Sequence, residues 1–119
     1  MDRETARNMA AGYGLYSEPI ATPFWPDLDG QISVRELSGD EQFEYEGSDR
    51  GKDATGKVIV KTVLLTESKS PLFNDTDFQW VMQTFGMSKL KPLFYKALAL
   101  SKMLVSQQAE ALAEAEKNS

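Results

Sequence analysis

The chain contains no His and no Cys. Its proton and nucleophile chemistry is therefore confined to carboxylates, Lys, Tyr, Ser and Thr. That removes the imidazole base of a Ser–His–Asp triad, the thiolate nucleophile and the disulfide, and the ordinary ligand sets of zinc and haem. The carboxylates cluster twice. Asp27, Asp29, Gly30, Ile32 and Glu36 fall at the third, fifth, sixth, eighth and twelfth positions of an EF-hand calcium loop. However, Trp25 stands where the first ligand belongs, and the prolines around it forbid the entering helix. A turn rich in Asp and Gly accounts for the same residues. Asp40, Glu41, Glu44 and Glu46 could form a carboxylate pair for acid–base work, but a solvated helix face explains them without any burial to shift their pKa values. No catalytic, metal-binding or cofactor-binding residue is expected, and the protein is expected not to be an enzyme.

A chain of 119 residues with 41% hydrophobic side chains suits a single domain with one core. No stretch approaches the roughly 18–20 apolar residues of a membrane span, and no secretory pattern opens the chain. The sequence therefore predicts a protein that stays in the compartment where it is made. The net charge of −5 argues against nucleic acid. Residues 1–57 carry 12 acids and 6 bases, whereas residues 58–119 carry 6 acids and 7 bases. This asymmetry would suit head-to-tail association or a basic partner, although a solvated acidic face needs neither.

Residues 1–15 read as a flexible N-terminal arm, with a helical turn or two stopped by Gly12 and Gly14. Residues 16–119 read as one domain. Pro19, Pro23 and Pro26 exclude helix, and Asp27-Leu28-Asp29-Gly30 signals a turn. The pattern predicts a β-hairpin with strands near 20–25 and 31–36, the second alternating buried Ile32 and Val34 with Ser33 and Arg35. Ser38 and Glu41 have capping-box spacing for a short acidic helix over about 39–48 that buries Phe43. Gly47, Ser48 and Gly51 mark a looser stretch reaching Gly56. The β-branched run Val58–Leu65 fits either strand or buried helix.

Asn74 caps the next helix, on which Phe78, Val81, Met82 and Phe85 share a face that Gly86 ends. The last helix opens at Ser88, with Pro92 in its first turn, and carries a core stripe of Leu90, Leu93, Phe94, Ala97, Leu98, Leu104 and Val105. The Ala- and Glu-rich tail from Ser106 to Lys117 is expected to continue it. Asn74-Asp75-Thr76 matches a glycosylation sequon but reads better as the cap. The fold class is thus α+β: an N-terminal β-hairpin followed by a helix-dominated bundle with a long C-terminal helix.

Two features fall outside that core pattern. Trp80 points away from the apolar face of its helix. Tyr95, Ala99 and Met103 make a second apolar seam, four residues apart, among Lys91, Lys96 and Lys102. Either the N-terminal region, with Tyr13, Tyr16, Phe24 and Trp25, folds over them, or they form a protein–protein surface. The candidate partner surface is Trp80, Lys91, Tyr95, Ala99, Lys102 and Met103.

The order of segments carries a resemblance. Phe24-Trp25-Pro26-Asp27-Leu28-Asp29-Gly30, followed by Ser33-Val34-Arg35-Glu36-Leu37-Ser38-Gly39-Asp40-Glu41, resembles the opening of the tail assembly chaperones of long-tailed bacteriophages. Leu65-Thr66-Glu67-Ser68 and Pro71-Leu72-Phe73-Asn74-Asp75-Thr76-Asp77 are similar to that family's middle passage, without its Asp and Gly near Lys69. The resemblance spans residue 20 to the end and favours a helix over 57–66. It implies a non-catalytic, cofactor-free protein of the bacterial host cytoplasm, absent from the mature virion. Its implied partners are the tape measure protein, the major tail protein and further copies of itself, with neither nucleic acid nor membrane. The alternatives are a small structural tail or neck protein and, more remotely, an unrelated acidic adaptor.

Overall fold

A computed structural model describes residues 1–103. The order of elements is α1 (Arg3–Tyr13), β1 (Ser17–Pro19), β2 (Ile32–Arg35), α2 (Gly39–Glu46), α3 (Lys52–Thr62), β3 (Val63–Leu65), a 3-10 turn (Asp75–Asp77), α4 (Phe78–Thr84) and α5 (Met87–Leu100). The expected α+β class holds. The three strands form an antiparallel sheet in the order β1-β2-β3, with Ser17 opposite Arg35 and Ile32 opposite Leu65.

The hairpin is present, but its first strand lies earlier than expected. Pro19 sits in the three-residue edge strand, where its missing N–H costs no pairing to a central neighbour. Ile20 N–H still donates to the Ile32 carbonyl at 3.0 Å, and residues 23–31 then form a run of tight turns rather than a strand. Trp25, Leu28 and Gln31 N–H donate to the carbonyls of Thr22, Trp25 and Leu28 at 2.8, 2.9 and 2.9 Å. β2 is also not half-buried. Because it is the central strand, Ile32, Ser33 and Val34 are all fully buried, and Ser33 Oγ is satisfied by Thr66 Oγ1 at 2.7 Å.

The β-branched run divides between helix and strand. α3 runs through Thr62, whose Oγ1 donates back to the Val58 carbonyl at 2.7 Å. Val63 then turns extended to pair with Val34 on β2. α3 also begins earlier than the glycines suggest and passes straight through Gly56. A Cβ at Gly56 would lie 2.6 Å from the Phe78 carbonyl oxygen, so this glycine allows α3 and α4 to cross at backbone contact.

The core gathers Ile32 and Val34 from β2, Val58 and Ile59 from α3, Val81 from α4, and the α5 face of Leu90, Leu93, Phe94, Ala97 and Leu98. That face agrees with the periodicity. Phe43 does not: it is 79% exposed. Tyr45, two residues on and therefore across the helix, takes the inward position, with its ring 5.9 Å from that of Phe94.

α5 departs from expectation at both ends. It begins at Met87, so Pro92 falls in the second turn and leaves the Ser88 carbonyl without its helical donor. It ends at Leu100. Lys102 takes φ 60°, and Lys102 and Met103 N–H donate to the Ala99 and Leu98 carbonyls at 3.1 and 2.8 Å, a Schellman stop. The end of α5 is tied to β2 through Ser101, whose Oγ accepts the Leu37 N–H at 2.9 Å. Leu104, Val105 and the helical tail expected from Ser106 to Lys117 lie outside the described residues. The N-terminal arm contains a full helix, α1, none of whose residues is buried.

Gly56→Ala is expected to lower stability by about 1–3 kcal/mol through overpacking. Gly12→Ala, where an added Cβ meets nothing within 4 Å, should be neutral or stabilise by up to about 1 kcal/mol. Urea unfolding of the two variants measures both effects. Equal behaviour would mean that the α3–α4 crossing does not depend on the missing side chain.

Candidate functional site

The acidic side chains that could have formed a chemical centre are mostly engaged in holding the chain. Glu41 completes the capping box, accepting the Ser38 N–H at 2.8 Å while its own N–H donates to Ser38 Oγ at 3.2 Å. The Arg35 guanidinium grips the same carboxylate with two bonds of 2.7 and 2.9 Å. These bonds, led by those from Arg35, pull the Glu41 pKa down from 4.5 to about 2. Glu44 pairs with Lys61 at 3.2 Å, and Glu46 accepts from Gln42 at 3.1 Å.

In the region that matched the calcium loop, Asp29 Oδ1 accepts the Thr22 N–H at 2.8 Å. Glu36 Oε2 accepts the Tyr16 N–H at 2.7 Å. Both carboxylates therefore pin backbone at the turn and at the start of β1. Among the described residues, no group of three or more His, Cys, Asp or Glu side chains is placed to hold a metal ion. No described helix is long and apolar enough to cross a membrane.

The surface instead carries a group of aromatic rings. α4 turns Val81 fully inward, with Phe78, Met82 and Phe85 partly buried beside it. Trp80, on the other side of that helix, is 51% exposed. Its ring meets Phe85 edge-on at 5.7 Å and lies 6.3 Å from Phe73, which comes from the segment before α4. Trp25, from the turns after β1, reaches Phe85 at 5.2 Å, and Phe24 meets Trp25 at 5.1 Å. Edge-to-face pairs of this kind hold their rings in fixed orientations. The cover foreseen for Trp80 therefore arrives in part: Trp25 buttresses the neighbour of Trp80 and leaves half of Trp80 in solvent.

The other candidates fall elsewhere. Tyr95 is half-buried on α5, its ring 6.0 Å from Phe94, so Tyr95 and Trp80 belong to different aromatic groups. Ala99 is half-buried, while Lys91 is exposed. Because α5 stops at Leu100, Met103 does not continue a helical seam. It and the exposed Lys102 line a cleft of about 290 Å³ with Tyr45, Glu46, Arg50 and Leu98. The sequence marked Trp80 but not its partners Phe73 and Phe85. Their signal was an aromatic residue just before α4 and another at its end, which reads equally as core.

No family model and no curated protein sequence matches the chain. Its fold is similar to a solved structure, the tail assembly chaperone of bacteriophage HK97. That likeness has a TM-score of 0.55 and covers 88% of this chain and 97% of that one, with 18% identical residues. The fold implied by the resemblance in the sequence is therefore the fold observed.

The Glu41 carboxylate gives a testable pH dependence. Its folded pKa lies below its ordinary value, so its contribution is fully present above about pH 4.5 and is lost as pH falls toward 2. Glu41→Gln should cost about 1–2 kcal/mol at pH 7, and the variant's stability should fall less steeply than wild type from pH 5 to pH 3. Unfolding curves at those pH values decide it. Parallel pH profiles would remove the charge from the account of this cap.

Proposed function

We propose that this chain is a tail assembly chaperone of a long-tailed bacteriophage. In this role it is non-catalytic and acts in the host cytoplasm, where several copies bind the tape measure protein, help recruit major tail protein and are left out of the finished virion. The observation that carries the reading is the likeness of fold to the HK97 chaperone along nearly its whole length. It agrees with the order of motifs from Phe24 to Asp77, which resembles the same family independently of the coordinates.

The surface suits the task. A long helical client exposes apolar stripes that aggregate unless covered, and aromatic residues are the side chains most enriched where proteins meet. Trp80, braced by Phe73 and Phe85, offers a rigid apolar face that loses little entropy on binding. Several weak contacts of this kind along one client would add through effective concentration.

The test is co-expression with the phage's tape measure protein, read by client solubility and co-purification. Wild type should keep the client soluble and bring it down. Trp80→Ala should weaken capture by about tenfold or more, with an unchanged circular dichroism spectrum, since the side chain is half in solvent. A client that stays insoluble and unbound, with this chain found by mass spectrometry in purified particles, would replace the chaperone reading by a structural virion role.

A further inference from the structure

α1 stands apart from the core, and its own chain does not account for its stability. All of its residues are exposed. A helix of 11 residues is marginal in water by itself, because the cost of nucleation is recovered by length or by packing an apolar face. Yet its ends are well specified. Asp2 Oδ1 accepts the Thr5 N–H at 2.7 Å, and Gly14, at φ 56°, closes the other end onto the Ala11 carbonyl. Ala6, Met9, Ala10 and Tyr13 fall at i, i+3, i+4 and i+7 on one side, with Met9 55% and Tyr13 88% exposed. Arg3 and Arg7, also four apart, flank that stripe. An amphipathic helix with spaced apolar anchors is the pattern that seats in a groove.

A groove of matching character lies between α2 and α3. It holds about 140 Å³, enough for a large side chain. Its floor is Leu37, Tyr45, Ala54 and Val58, and four acids, Glu41, Glu44, Asp49 and Asp53, line it with two lysines, of which Lys61 pairs with Glu44 and Lys57 lies over the Phe78 ring at 5.1 Å. Two of the acids are already engaged, Glu41 by Arg35 and Glu44 by Lys61. Among the described residues, Asp49 and Asp53 have no ion-pair partner, although Asp49 Oδ1 accepts the Gly51 N–H at 2.8 Å. The lengths also agree. The stripe from Ala6 to Tyr13 spans about 10 Å of helix axis, and α3 from Asp53 to Lys61 about 12 Å.

We infer that α1 of one copy docks in the α2–α3 cleft of a second copy, with Met9 and Tyr13 as apolar anchors and Arg3 and Arg7 against Asp49 and Asp53. The donor surface and the acceptor surface are both open on the same molecule, which is why the occupant is a second copy. They are different surfaces, so the contact is head-to-tail and builds a ring or a filament rather than closing as a two-fold dimer. The inference deepens the chaperone reading, on which it rests for what the assembly serves, by naming the contact that joins the copies.

The experiment is sedimentation velocity of the full chain over a range of concentrations. Wild type should form multimers larger than a dimer. An arm variant, Met9→Asp with Tyr13→Asp, should weaken association at least tenfold and leave the core's near-ultraviolet circular dichroism unchanged. A cleft variant, Asp49→Arg with Asp53→Arg, should also remain monomeric. Mixed together, the two variants should form pairs that grow no further, because the pair has one intact arm seated in one intact cleft. Combining Arg3→Asp and Arg7→Asp with the cleft variant in one chain should restore multimers.

A wild type that stays monomeric, multimers that survive the arm variant, or variants that fail to pair on mixing would overturn the inference. So would an arm variant that loosens the monomer itself, which would place α1 on its own chain. Client solubilisation is scored separately. A client left insoluble by intact, arm-dependent multimers counts against the chaperone reading and not against this contact.

Discussion

β2 must satisfy neighbours on both edges and both faces at once, and the rest of the fold is arranged around that demand. Ile32, Ser33 and Val34 are completely buried, β1 and β3 pair with the two edges, and α5 packs against the strand. A buried strand cannot leave backbone or hydroxyl groups unpaired without losing about 1–3 kcal/mol for each. Thr66 is therefore brought to Ser33, and Ser101 to the Leu37 N–H just past the strand. Those two bonds bridge 33 and 64 residues of sequence and fix where β3 ends and where α5 stops.

The helices pack at separations set by small residues as much as by large ones. Gly56 lets α3 approach the Phe78 carbonyl directly, which sets α4 and hence the position of Trp80. The aromatic face is thus an indirect product of a glycine in the middle of a helix. Charges take the complementary part. Arg35, Glu41 and Ser38 form one hydrogen-bonded unit that joins the end of β2 to the start of α2. Lys96 reaches Glu18 at 2.8 Å and ties α5 to the edge strand β1. Much of the acidity of the N-terminal half is thereby spent inside the fold, and the surface left for partners combines the aromatic face with exposed carboxylates and with exposed cations such as Arg3, Arg7, Lys91 and Lys102.

Much of this was legible before any coordinates. The capping box at Ser38 and Glu41, the α5 stripe from Leu90 to Leu98 and the α4 face around Val81 all involve residues within a turn or two of each other, where period and local hydrogen bonding decide the outcome. The missing His and Cys narrowed the chemistry in the same direct way. The expectations that failed were of another kind. Phe43 and Tyr45 are equally apolar candidates two residues apart, and only the position of Phe94 selects Tyr45. The first hairpin strand was placed on the bulky Ile20–Trp25 segment, but pairing is settled by which residues stand opposite Ser33–Arg35.

By itself, then, the sequence determined the α+β class, the capping box that opens α2, the inward faces of α4 and α5, the exclusion of imidazole and thiol chemistry and the order of motifs that resembles a phage chaperone. Tertiary structure alone decided where the run from Val58 to Leu65 changes from helix to strand. It also decided that α5 stops at Leu100, with Lys102 in a left-handed turn beyond it, and that Trp80 keeps half its surface in solvent between Phe73 and Phe85. The division has one physical cause. Helix periodicity and caps are satisfied by partners a few residues away. A strand edge, a buried hydroxyl or a ring cluster is satisfied by residues dozens of positions distant, whose approach is a property of the packed chain.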